Sequence, residues 1–151
     1  MEPKFELLFK ASAQLEQAVK VGDTPQGARR VVPIVGGRFA GPNMSGEVLA
    51  GGADWQFTRP DGVTELDAVY LLRTDDGIVI QVRNRGLRHG SDDVMRRLAA
   101  GEHVDPSEYY FRGVPTFSAP RGRYDWLNRN VFVCTGTRHP NSVDLWIYRV
   151  G

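Results

Sequence analysis

Asp54 stands directly before Trp55 and directly behind Gly51-Gly52-Ala53, so a carboxylate lies beside an indole where glycine lets a ligand approach the backbone. A carboxyl group desolvated by an aromatic wall ionises less readily and can then serve as a general acid or base. The same residue also reads as an aspartate that accepts backbone N–H bonds and fixes a turn. Tyr110 and Arg112 are two residues apart and share one face of an extended chain. A phenol and a guanidinium on one face can address one carbonyl or carboxylate and stabilise its negative charge, although Arg112 can equally close an internal salt bridge.

Arg83 and Arg85 share one strand face, and Val82 and Asn84 share the other. Facing inward, the two guanidiniums need an anion, either a carboxylate such as Glu47, Glu65 or Asp67 or a bound acid. Facing outward they are a solvated pair, and Asn84 then turns inward as an orienting group. Asn84 and Arg85 cannot both face a barrel interior without a bulge, and both stay in the candidate set. Trp55 and Trp126 read as pocket walls, and Asn128 either joins that pocket or caps a turn. The expected constellation is therefore Asp54, Tyr110 and Arg112 for chemistry, with Trp55, Asn84, Arg85, Trp126 and Asn128 around the ligand.

Other chemistries lack their signatures. His89, His103 and His139 show no metal-ligand spacing, and the lone Cys134 excludes an intrachain disulfide and a cysteine-based metal cluster. Gly36-Gly37, Gly41-Pro42 and Gly51-Gly52 are followed by no lysine-serine or lysine-threonine pair, and neither a dinucleotide fingerprint nor a nucleophile elbow is present. No metal and no cofactor are expected. Lys plus Arg number 19 against 18 Asp plus Glu, a formal charge of +1, so nothing favours nucleic acid as a partner. No run approaches the roughly 20 apolar residues that cross a bilayer, and no secretory leader is visible, so a cytoplasmic protein with no membrane partner is expected.

The elements that must hold these groups are mostly strands. Gly51 to Gly86 reads as a meander of three strands separated by Pro60-Asp61-Gly62 and Asp75-Asp76-Gly77 turns. Before it come an interrupted strand from Phe5 to about Lys20, a loop over Gly22–Gly27, an extended run from Arg29 to Val35 with Pro33 marking an edge or bulge, and a short strand from Ser45 to Leu49. After it, Ser91 as N-cap with Asp92 and Asp93 in the first turn predicts one helix over Ser91–Ala100. Asp105–Glu108 opens a helical turn into a strand through Tyr110 and Arg112, and two more strands cover Val131–Thr135 and Val143–Val150. At 151 residues this is one domain, residues 1–151, and so many short strands point to closure into a barrel. Apolar residues on both faces of Val143–Val150 predict cover by a helix or by a partner subunit, hence a homo-oligomer, with a dimer favoured.

Val21-Gly22, Thr24-Pro25-Gln26-Gly27, Gly36-Gly37, Gly41-Pro42, Gly51-Gly52-Ala53-Asp54-Trp55, Asp75-Asp76-Gly77, Tyr110-Phe111-Arg112 and Trp126-Leu127-Asn128 span almost the whole chain in order. In these motifs the sequence resembles the family catalogued as domain of unknown function 3237, also called uncharacterised protein family 0311. The resemblance implies a single small calycin-like β-barrel and no established substrate. Arg112-Gly113 stands where the resemblance leads one to expect Arg-Thr.

The expected fold is thus all-β, a single closed or nearly closed calycin-like barrel with one short α-helix. The expected function is cofactor-free isomerase, cyclase or lyase chemistry on a small organic or aromatic acid, with Asp54 moving protons and arginine holding the anion. A noncatalytic carrier of a small ligand and a structural or interaction module are the alternatives. An enclosed cavity containing Asp54 favours the first two; a barrel filled by side chains favours the last.

Overall fold

The computed structural model describes all residues from Met1 to Gly151. Apolar residues at every second position make most of the chain extended, and pairing those runs so that one face is buried yields the observed ladder. The strands are β1 (Phe5–Leu15), β2 (Val19–Thr24), β3 (Gly27–Ala40), β4 (Ser45–Val48), β5 (Gly52–Thr58), β6 (Thr64–Thr74), β7 (Val79–Gly90), β8 (Tyr109–Ser118), β9 (Phe132–Arg138) and β10 (Ser142–Val150). The single α-helix, α1, covers Asp92–Ala99.

The ladder is antiparallel throughout, and pairing of β1 with β3 from Lys10↔Ala40 to Leu15↔Ile34 closes it into a barrel. Two staves are broken strands. β4 and β5 both lie between β3 and β6, at different heights, and β2 continues the line of β1 along β3. The ten strands therefore form an eight-stranded closed barrel. Closure leaves few unpaired edges, which is the physical reason a chain of short strands adopts it.

The interrupted first strand is present, but Gly22–Gly27 is not a loop. Gly22, at φ +104°, sits at a register shift between β2 and β3, so this glycine marks a bulge within a strand. Only Pro25 and Gln26 remain as the hairpin turn, where Thr24 Oγ1 donates to the Gly27 carbonyl at 2.7 Å. Pro33 lies inside the long β3, opposite the break between β1 and β2, where its carbonyl accepts from Glu16 N at 3.1 Å. The helix has the expected cap, with Ser91 Oγ accepting from Val94 N at 3.2 Å. Val94 buries itself at the end of β7, and the segment after α1 reaches Pro140 in the β9–β10 turn, so the helix lies at one end of the barrel. The outer face of β10 has no helix over it: Lys10 Nζ lies 4.9 Å from the Trp146 ring, and Tyr148 opens onto an outer groove.

The barrel interior has two unlike ends. At one, Phe9 and Phe39 meet at 4.9 Å between ring centroids, Phe117 and Phe132 at 4.9 Å, and Leu72, Ile80 and Ile147 fill the remaining space. At the other, where α1 lies, buried positions are taken by Gln56, Thr64, Asn84 and Arg88.

Candidate active site

Register brings the polar residues together. Val32, Asp54, Ala68, Asn84 and Pro115 are successive cross-strand partners from β3 to β8, so Asp54 and Asn84 flank a single alanine. A neighbouring row joins Leu66, Gly86, Gly113 and Cys134, and a third joins Thr64, Arg88 and Phe111. Ala68, Gly86 and Gly113 leave room on the inner face, and a cavity of about 50 Å³ results, lined by Asp54, Gln56, Tyr70, Asn84, Arg88 and Arg138 among apolar neighbours. Gly113 is required: a Cβ there would stand 2.4 Å from Asn84 Oδ1 and 2.9 Å from Cys134 Sγ.

Asp54 is held from two sides. Its Oδ1 accepts from Asp67 N at 3.0 Å and its Oδ2 from Gln56 Nε2 at 2.9 Å, while Gln56 Oε1 accepts from Arg30 Nε at 2.7 Å. The β5–β6 register skips from Asp54↔Ala68 to Phe57↔Glu65, and the carboxylate supplies the acceptor that the ladder lacks there. Burial raises the Asp54 pKa above its ordinary 3.8. The bonds from Gln56 and Asp67 and the charges of Arg88 and Arg30 pull the other way with smaller effect.

Around this carboxyl group lie three guanidiniums, Arg30, Arg88 and Arg138, none of which belongs to an ion pair. Arg88 is only 4% exposed, stacks over Phe111 at 5.7 Å, and has no acceptor for its Nε. Burial, with Arg30 adding repulsion, lowers its pKa to about 10. Arg138 Nη1 donates to the Ser142 carbonyl at 3.0 Å. Two more buried polar atoms are unpartnered, Tyr70 Oη and Asn84 Oδ1. Asn84 is oriented by its own Nδ2, which donates to Cys134 Sγ at 3.2 Å, and burial pushes the Tyr70 phenol far above its usual range. A cavity whose wall carries unpartnered donors and an acceptor can offer hydrogen bonds to a polar guest.

The structure divides the expected constellation between the two sides of the sheet. Asp54 and Asn84 face the interior together. Trp55, 60% exposed, lines an open groove on the outer face with Arg85 and Tyr110. Arg112 lies on the dividing wall: with Leu66, Gly86 and Gly113 it borders both spaces, its guanidinium resting over Tyr110 at 5.4 Å and donating to the Phe111 carbonyl at 2.8 Å. Neighbours such as Asp54 and Trp55, or Asn84 and Arg85, must point to opposite faces because side chains alternate with period two. Arg83 takes the outward arrangement, donating to both Asp67 oxygens at 3.0 Å, with Arg85 at 3.8 Å from the same carboxylate.

Trp126 and Asn128 belong to neither space. Trp126 packs toward Phe132 at 6.4 Å, and Asn128 clips the end of β8 by bonding Ala119 N at 2.8 Å and Ala119 O at 2.9 Å. Arg30, Gln56, Tyr70, Arg88 and Arg138 complete the interior site and were not among the expected residues. Parity offered a signal for two of them, since Gln56 shares a face with Asp54 and Arg88 with Asn84. No three His, Cys, Asp or Glu side chains converge to form a metal-ligand cluster. No helix is long and apolar enough to cross a membrane.

The family model described as "Protein of unknown function (DUF3237)" matches residues 3–150. A UPF0311 protein of Clostridium acetobutylicum is 39% identical over 150 residues, covering 99% of this chain and 95% of that protein. The crystal structure of a conserved protein of unknown function from Rhodopseudomonas palustris superposes with a TM-score of 0.97 at 37% identity, over 100% of this chain and 99% of that one. A hydroalkoxylation enzyme of Penicillium herquei is 34% identical over 80 residues, 53% of each chain. The crystal structure of an enzyme from Penicillium herquei shares the fold, with a TM-score of 0.75 at 23% identity over 100% of this chain and 96% of that one.

Proposed function

The chain belongs to the DUF3237 family of proteins of unknown function, and from that premise we propose that it is a cofactor-free enzyme moving protons on a small organic acid inside its barrel. One observation carries this reading: a carboxyl group whose pKa burial raises lies in a cavity with donors that have no acceptor. In its neutral form Asp54 gives a proton to one carbon of a polarised double bond. Addition of a substrate hydroxyl to the other carbon forms a C–O bond, and the hydroxyl proton returns to the Asp54 carboxylate. Run backward, the same steps are an elimination; without the C–O bond they are an isomerisation. Arg88 Nε–H and Tyr70 O–H stabilise the negative charge that develops on the polarising group as the hydroxyl oxygen adds, before the proton from Asp54 reaches the neighbouring carbon. The partial likeness to a hydroalkoxylation enzyme supports the addition of O–H across a double bond, which includes ring closure.

A second reading, a noncatalytic carrier in a calycin-like barrel, draws on the bond from Asp67 N, which gives Asp54 a structural duty whether or not it reacts. On either reading the protein works in the cytoplasm, consistent with its single free and buried cysteine, and as a dimer through apolar groups on its outer face. A metabolite screen followed by assay of the best ligand with wild type and D54N separates the two. Turnover by wild type, lost in D54N while binding is retained, supports the enzyme. Binding by both proteins with no substrate consumed supports the carrier, and a fully active D54N eliminates the proton-transfer role.

A further inference from the structure

The unpartnered atoms of the interior describe the molecule that would complete them. They are of two kinds: Arg88 Nε–H and Tyr70 O–H are donors, and Asn84 Oδ1 is an acceptor. All three side chains line one cavity, and each is at least nine-tenths buried: Tyr70 and Arg88 are 4% exposed and Asn84 7%. Charge points the same way. Arg88 and Arg138 line the cavity and Arg30 stands behind Gln56, three guanidiniums outside every ion pair, with Asp54 as the one carboxyl group among them. Of the three only Arg88 is buried, Arg30 and Arg138 being half-buried, and a buried cation without an ion-pair partner is strongly disfavoured, so the guest that fits beside Arg88 brings negative charge.

A simple carboxylate would satisfy the donors and leave Asn84 Oδ1 bare. A neutral alcohol would serve Asn84 and leave the guanidiniums uncompensated. Resting on the interior site proposed above, we infer that the unit recognised there is a small 2-hydroxycarboxylate, with its carboxylate on Arg88 and Tyr70 and its hydroxyl donating to Asn84 Oδ1. The size agrees: about 50 Å³ of cavity holds on the order of four waters, close to the bulk of a hydroxyacetate. Asn84 and Asp54 flank Ala68 on one register row, so a hydroxyl on Asn84 is presented to the carboxyl group that moves protons. Arg88 anchors the anion, and Asn84 selects for the hydroxyl. The reaction class that follows is reversible addition of that hydroxyl across a polarised double bond: its oxygen bonds one carbon as its proton passes to the Asp54 carboxylate, Asp54 delivers a proton to the other carbon, and the reverse direction breaks the same C–O bond and returns both protons.

Titration calorimetry with glycolate, acetate and glycolamide tests the inference on the intact protein. Wild type should bind glycolate saturably, and acetate and glycolamide each at least tenfold more weakly, the first for want of the hydroxyl and the second for want of the charge. R88M should lose saturable glycolate binding. R88K, which restores the charge without the Nε–H, should fall between R88M and wild type. R85A, on the outer groove, should bind like wild type. No saturable glycolate binding by wild type, equal binding of acetate, or unchanged binding by R88M would overturn the inference. A D54N protein that loses turnover while glycolate binding proves indifferent to R88M would overturn it and leave the proton-transfer reading standing, so the two fail separately.

Discussion

The two ends of one barrel interior are built from the same alternating strands and reach opposite results. At the aromatic end, Phe9, Phe39, Phe117 and Phe132 interlock with Leu72 and Ile80, and no buried polar side-chain atom is left unpartnered among them. At the polar end, small residues at positions 68, 86 and 113 leave a cavity, and three polar atoms around it have no partner. β7 runs through both: Ile80 and Val82 belong to the first, Asn84 and Arg88 to the second. The lesson is a division of labour along the barrel axis, in which one end is closely packed for stability and the other keeps a polar cavity walled by groups without protein partners.

That division breaks first at the aromatic end. Phe132→Ala should lower unfolding stability by about 3–5 kcal/mol, measured by denaturant titration, while glycolate affinity stays within a few-fold of wild type. Gly113→Ala strikes the wall of the polar end. The new Cβ must displace Asn84 or Cys134, so a loss of about 1–3 kcal/mol should come with weaker glycolate binding, both effects in one variant. R88M should do the reverse of Phe132→Ala. Removing an uncompensated buried charge should raise stability by about 1–2 kcal/mol while glycolate binding disappears, readable as a higher Tm and a flat calorimetric trace.

Asp54 adds a pH signature. Its carboxyl group has a higher pKa folded than unfolded, so in the window just above 3.8 the unfolded chain releases its proton before the folded one does. Stability therefore falls as pH rises through that window, and D54N should lack this component of the slope when unfolding is followed by denaturant titration at a series of pH values. The smallest effect belongs to the outer face. Arg83→Ala removes a solvent-exposed pair with Asp67 and should leave Tm and glycolate affinity nearly unchanged.

The contrast also explains what the sequence revealed. The meander, the capped helix and barrel closure were legible because period-two alternation, Asp-Gly turns and the Ser91 cap are local signals. Within-strand parity placed Asn84 and Arg85 on opposite faces and left only the choice of which face pointed inward. The grouping of Asp54 with Tyr110 and Arg112 required cross-strand register, and that depends on where the staves break. Arg88 and Arg138 were illegible as site residues because an arginine near a strand end normally reads as solvated; burial beneath the α1 end of the barrel is a tertiary fact. Gly22 misled for a related reason, since a glycine in a bulge and a glycine in a loop look alike until the partner strand is known.

Burial in the interior raises the Asp54 pKa above its ordinary 3.8, and that shift can be read directly. Carbon-13 NMR of the aspartate side-chain carboxyl groups, with Asp54 assigned by comparison with D54N, follows its titration in the folded protein. A midpoint above 3.8 is expected, with a further rise in R88M, where the nearby positive charge that favours the carboxylate is gone. A midpoint at or below 3.8, unmoved by R88M, would contradict the upward shift.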